Sequence, residues 1–438
     1  MLYIIVSLLI IFFIKKCAVK YPYPVNMDYQ YTFDNARIYE IEIVDNQIVI
    51  PNEILKNDIV FIEISLKSKL LGRYFTPKIE LVTIDEKIVH FFEKGLNGIR
   101  YLNITDFTGY KLNLRVKFLK LANKRIKIIV YNRYEKSDGN IMILAPHPDD
   151  AEISSYGFYS HFSKNTSIVT ISMGEGSYNN YNNIYSQTID SRVRKGSIRF
   201  WESLCIPKLG GVELDKCINL GYYGGLKRVY QNNFLYNEKL NDIRGNNISS
   251  MMKFLSREFS WENLISDLVK LIEINKPDII VTPYPKIDSD IDHKLASLAI
   301  FEAIRRSHYT DCRLFLYTNH FTLNELYPYG QRYTSVTLPP LFEELYFDYI
   351  FSFSLSLDKQ KEKLFIFDSM IDVRNSIQKR FFRESLKWFF HTFNRDYLCG
   401  DDYTYFRRAI RRDELFFVVE GKNIFDDGIL NKIMGDIL

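Results

Sequence analysis

The chain has 438 residues, 47% of them apolar and 25% charged, with a net charge of +4. These proportions belong to a globular protein of two or three domains and exclude a disordered or fibrous chain. So small a net charge, with no dense basic run in a recognition motif, argues against a nucleic-acid partner. Residues 1–14 are almost wholly apolar, and Lys15 and Lys16 follow. A cleaved secretory signal carries its charge before the apolar core and small residues at its cleavage site. A full bilayer span takes ~20 residues, but flanking lysines let a shorter one suffice. Residues 1–19 are therefore expected to form a hydrophobic membrane anchor, and the positive charge after it places the rest of the chain in the cytoplasm. The five cysteines, Cys17, Cys205, Cys217, Cys312 and Cys399, are widely spaced and lack a CxxC pair. They offer neither a disulfide framework nor a thiolate zinc site, and they agree with a reducing compartment.

Residues 20–135 are expected to form a β-sandwich domain. After a linker over 20–32, short runs of alternating apolar and polar residues recur at 41–44, 60–64, 78–82, 112–116 and 126–130. Turn residues separate them, as in a sandwich of many short strands. Nothing there has a catalytic pattern, so the region reads as a packing domain or a carbohydrate-binding surface.

From residue 136 to 438 the grammar changes to alternating strand and helix, predicting an α/β fold with a Rossmann-like, mostly parallel sheet flanked by helices. Residues 141–145 form an apolar strand stopped by Pro146, and a helix starts near Ala151. A second strand at 167–171 leads to Gly174-Glu175-Gly176, and residues 178–185 read as a mobile surface loop. A helix over 191–204, a strand ending at Gly224-Gly225, an insertion over 232–250 and an amphipathic helix over 261–275 follow. Residues 278–283 form another buried strand, with an acidic exit loop over 284–293 and a helix over 294–305. The strand at 313–317 ends at Thr318-Asn319-His320. A charged helix is expected over 357–385, and 389–438 reads only as a closing element of the core.

The loop after the first of these strands carries His147, Asp149 and Asp150, and the loop after 278–283 carries Asp288, Asp290, Asp292 and His293. Strand carboxyl ends are where open α/β sheets place their chemistry. His147 and Asp150 are three positions apart and reach one ion from a turn, with His293 as third ligand; three protein ligands leave a position for water. Asp149 is placed to take a proton from that water. The same ligands suit Zn2+ or Fe2+. Each motif alone also fits a helix cap; their joint occurrence after two buried strands favours a composite site.

The stretch Ala145-Pro146-His147-Pro148-Asp149-Asp150-Ala151-Glu152 resembles the signature of the PIG-L/LmbE superfamily of metal-dependent N-acetyl-sugar deacetylases, and Asp292-His293 matches its late HxDH motif. The resemblance implies an LmbE-like fold, Zn2+ ligation by His147, Asp150 and His293, and Asp149 as general base. The family's late motif opens with a histidine that stabilises the oxyanion or protonates the amine. Here Asp290 occupies that place, among the substrate-binding residues, and His320 is the expected catalytic substitute. Asp292 is expected to orient that imidazole or to fix His293. A substrate-binding arginine is expected in the helix after the second strand, at Arg194, with Arg192 as rival. The implied reaction removes an acetyl group from an N-acetylated sugar of a glycan or lipid-linked saccharide. The alternative is a glycan-binding protein that retains the fold without catalysis, which Asp290 keeps open.

Overall fold

The computed structural model describes residues 21–107, 111–132, 139–176, 189–373 and 404–435. The expected anchor at 1–19, Cys17, Cys399, the surface loop at 178–185 and the far end of the helix expected over 357–385 lie outside these residues. Among the described residues, no helix is long and apolar enough to cross a membrane.

The chain divides into two compact units, and not by a single cut. One takes the described residues of Met1–Arg133, Leu323–Glu344 and Glu384–Asp413; the other takes those of Tyr134–Thr322, Leu345–Arg383 and Glu414–Leu438.

The first unit is a sandwich of antiparallel sheets. One sheet orders its strands Arg37–Glu42, Arg125–Tyr131, Ile59–Ser68 and Asn97–Asn103, with Leu119–Leu121 also paired to Ile59–Ser68. The other orders Gln47–Val49, Lys111–Lys117, Lys78–Val82 and Lys87–Phe91. Alternation drives the packing: Leu112 and Leu114 turn inward while Asn113 and Arg115 face water. Ile79, Leu81 and Leu112 of one sheet share a core with Val60, Ile62, Leu102 and Ile128 of the other. Residues 323–344 return to this unit, where the Ser335 amide donates to Val89 O and the Leu338 amide to Tyr101 O, each at 3.1 Å. The buried Arg411 guanidinium binds the carbonyls of Pro328, Gly330 and Gln331.

His90 lies fully buried in this unit, with Nε2 2.8 Å from Asn103 O and no partner for Nδ1. Burial depresses its imidazole to about 3 from the ordinary 6.5. The unfolded chain thus binds a proton near pH 6.5 that the folded unit refuses until about pH 3. Stability is full above the unfolded value and falls as pH drops through that window, by on the order of 4 kcal/mol. Urea midpoints measured across pH 3–7 should fall on the acid side, and His90→Gln should flatten that slope.

The second unit holds a seven-stranded sheet ordered Cys217–Tyr222, Thr166–Ser172, Ile141–Ala145, Ile279–Pro283, Arg313–Tyr317, Asp413–Glu420 and Tyr349–Ser354. The first five run parallel, and Asp413–Glu420 pairs antiparallel with Arg313–Tyr317. The first four are buried at every position, which accounts for their continuous apolar runs. Pairing of residues 413–420 inside the sheet was not expected. Helix bounds also moved. The expected 191–204 helix is Ile189–Leu209, and 294–305 is Ile291–Ser307. The helix expected over 357–385 ends at Ser369. The insertion carries the short helix Glu238–Arg244, capped by the Asn237 side chain.

The chain leaves the Ile141–Ala145 strand toward Thr166–Ser172 on one side and later returns to Ile279–Pro283 on the other. Strand order reverses there, and the carboxyl ends of strands at such a reversal are where open α/β sheets bind ligands.

Candidate metal centre

The Asp150–His161 helix follows the first loop, and the Ile291–Ser307 helix follows the second. Both loops converge on one point. Asp150 Oδ2 lies 3.2 Å from His147 Nδ1 and 3.2 Å from His293 Nε2. The two imidazole rings are 5.4 Å apart. Asp150 and His293 are buried, and His147 is half-buried.

These residues fit a cation. His293 Nε2 is buried without a hydrogen-bond partner, although Asp150 Oδ2 is 3.2 Å away. The two atoms aim past each other at a common target. Ligands bound to one tetrahedral ion at about 2.0–2.1 Å stand roughly 3.4 Å apart, close to the separations here. The local field agrees. Burial would lower both imidazoles, but Asp150 and Asp292 outweigh it at His147 and push it up to about 10. Asp150 and Asp288 raise His293 in the same way. A pocket that draws protons onto two imidazoles is one that a dication would discharge.

The surrounding groups fix the ligands. Asn319 Nδ2 donates to Asp150 Oδ1 at 2.8 Å, and the His147 amide donates to Oδ2 at 2.8 Å, so both oxygens of this ligand are held in place. Asp288, fully buried, accepts from His293 Nδ1 at 3.0 Å and from the amides of Asn319 and His320 at 3.1 and 3.3 Å. A proton on Nδ1 leaves Nε2 as the ligand atom. Asp292, expected to orient an imidazole or fix His293, instead lies with Oδ2 3.5 Å from His147 Nε2, and its Oδ1 accepts the Leu226 amide at 2.9 Å. Successive helical residues point about 100° apart, so Asp292 cannot share its neighbour's target. The imidazole outweighs burial and holds the Asp292 carboxyl below its usual range. Asp288→Asn is expected to weaken metal affinity by about 10- to 100-fold, measured by competition with a chelator.

Asp149 adjoins the ligands with Oδ2 3.0 Å from Arg199 Nη2. Burial pushes its carboxyl up to about 6, and Arg199 opposes a further rise. Asp290 caps its helix by accepting the Asp292 amide at 2.8 Å. His320 stands with its ring 5.1 Å from that of His293. Ligand atoms of Asp290, His293 and His320 lie within 4.8 Å of one another, as do those of His147, Asp150 and His293.

Arg194 and Arg192 are exposed; the guanidinium that reaches the centre is Arg199. Five residues along a helix turn the side chain by about 140°, so Arg194 and Arg199 face different ways. The signal lay in the helical spacing, since Ser203 and Ile206, four and seven positions on, are buried on the side that carries Arg199. Glu175 is buried and accepts the Gly224 amide at 2.8 Å, which ties the loops after the second and third parallel strands.

Residues 142–304 match a family model described as PIG-L, GlcNAc-PI de-N-acetylase. The segment is a PIG-L/LmbE domain. Both loops of the centre lie inside this PIG-L segment, and His320 lies beyond it. The chain is similar in structure to the zinc-inhibited form of teicoplanin deacetylase Orf2, at 12% identity and a TM-score of 0.36, over 64% of this chain and 98% of that one. It is also similar to GalB, the 4-carboxy-2-hydroxymuconate hydratase of Pseudomonas putida, at 11% identity and a TM-score of 0.27, over 41% and 65%. At these TM-scores neither bears on what this chain does. No curated protein sequence matches it.

Proposed function

We propose that this PIG-L protein is a metal-dependent hydrolase that removes the acetyl group from an N-acetylated amino sugar, with Zn2+ as resident ion and Fe2+ compatible with the same ligands. The observation that carries the reading is the convergence of His147 Nδ1, Asp150 Oδ2 and the unpartnered His293 Nε2 where the strand order reverses, with Asp149 adjoining. A divalent cation held there supplies an acidified water and polarises the amide carbonyl.

The chain's own groups do the rest. Asp149 accepts a proton from the attacking water and returns it to the nitrogen as the C–N bond breaks, giving acetate and a free amine. Asp288 keeps His293 in one tautomer. Asp290 is an acid where the family carries an imidazole, and an ionised carboxylate cannot stabilise an oxyanion. His320, whose ring lies near that of His293, is our candidate for the donor to the carbonyl oxygen. The apolar residues 1–14, with Lys15 and Lys16 after them, support membrane anchoring, a cytoplasmic catalytic unit and a lipid-linked or polymeric glycan substrate.

Full-length protein supplied with Zn2+ or Fe2+ should release acetate from N-acetylglucosaminides in a coupled assay. The second reading, a glycan-binding protein without catalysis, rests on Asp290. Saturable binding to those sugars with no acetate from a metal-loaded sample would establish it and defeat the first.

A further inference from the structure

The residue that holds the base is a buried arginine on a separate element. Arg199 Nη2 donates to Pro148 O at 2.8 Å and lies 3.0 Å from Asp149 Oδ2. Its Nη1 donates to Gly174 O at 2.8 Å and to Asp372 Oδ2 at 2.9 Å. One guanidinium thus ties the chain leaving the Ile141–Ala145 strand to the chain leaving Thr166–Ser172. Gly174 shows how close the fit is: its φ is +63°, and a Cβ there would sit 2.6 Å from Nη1. Lys195 Nζ, 2.9 Å from Asp372 Oδ2, holds the same carboxylate from its other neighbour.

The segment being held is strained. Asp149 has φ 147° and ψ −21°, a region that side-chain-bearing residues avoid. Such a residue costs about 1–3 kcal/mol and persists only where its surroundings over-determine it. Arg199 applies two of those restraints, one to the carbonyl before Asp149 and one to its carboxylate. Asp149 Oδ2 is thereby occupied, and no hydrogen bond engages Oδ1 among the described residues. An ion pair kept only for stability has little reason to be here, because burying two charges costs about as much as their attraction returns.

We propose that Arg199 is a positioning residue for the hydrolysis, locking Asp149 into its strained turn so that one carboxylate oxygen stays directed to the reacting water. This rests on the reading of Asp149 as the base. The test uses full-length protein loaded with Zn2+ and an N-acetylglucosaminide that the wild type hydrolyses, with kcat, KM, zinc stoichiometry and thermal midpoint read together. Arg199→Met should lower kcat about 100-fold, the scale of a small misplacement of a reacting group, with KM little changed and zinc retained. Arg199→Lys should recover part of the loss. In an Asp149→Asn background, Arg199→Met should have no further effect on kcat. Should Arg199→Met fail to fold, Gly174→Ala displaces the guanidinium without removing its charge and should give the same kcat loss with zinc bound. A full kcat in Arg199→Met, or an equal proportional loss with and without Asp149, overturns the inference while leaving the base in place. Full activity in Asp149→Asn alone overturns both.

Discussion

Asp149→Asn is expected to lower the turnover of acetate release by about 10²- to 10⁴-fold, the range for loss of a positioned acid–base group. The substitution keeps the size of the side chain and one oxygen to face Arg199, but an amide cannot take a proton from water at neutral pH. The ligands His147, Asp150 and His293 are untouched, since each is fixed by other groups: Asp292 beside His147, Asn319 on Asp150 and Asp288 on His293. Metal content, read by mass spectrometry of the dialysed protein, should therefore stay at the wild-type level. Unchanged acetate release in this variant would move the base elsewhere in the centre.

The second large effect is on stability. The Asp150–His161 helix is broken at Ser155, whose φ of −144° and ψ of 21° are not helical. The amides of Gly157 and Phe158, freed from the ladder, donate to the two carboxylate oxygens of Glu414 at 2.8 Å each. Lys363 Nζ lies 2.8 Å from Glu414 Oε1 and donates to Ile153 O at 2.9 Å. Both side chains are almost fully buried. Glu414→Ala leaves an ammonium and two amides without their acceptor in the interior, a loss on the order of 3–5 kcal/mol for breaking a buried pair. Urea unfolding should show it. Lys363→Met added to Glu414→Ala should recover part of the loss, because the unpaired charge is then gone. Since the helix opens with Asp150, weakened metal retention should accompany the lower stability.

The parallel sheet and both loops of the centre were legible because each is a local signal. An apolar run, a proline, an acid-and-histidine loop and a helix occur together, and they occur twice. His147, Asp149, Asp150 and His293 could be named from that grammar. Asp288 stood in the same loop, but with Asp290 and Asp292 beside it nothing in the order of residues said which carboxylate faces the His293 ring. The answer depends on the angle at which the helix starts. Asn319 was passed over because an amide after a strand resembles a turn residue. Arg199 has the appearance of a solvated helical charge until the buried face of its helix is known, and Asp372, its partner, lies 173 positions away. The return of residues 323–344 to the sandwich, through the Ser335 and Leu338 amides, is a pairing between distant segments that no local periodicity records.

That returning segment has a consequence for synthesis. The sandwich draws on the chain as far as Asp413, and the sheet of the second unit receives its internal antiparallel strand only with Asp413–Glu420. A ribosome therefore delivers the last pieces of both units almost together, after nearly all of the 438 residues have been translated. A stop codon before residue 404 would therefore remove, together, the Arg411 guanidinium that binds the 328–331 carbonyls of the first unit and the internal antiparallel strand of the second.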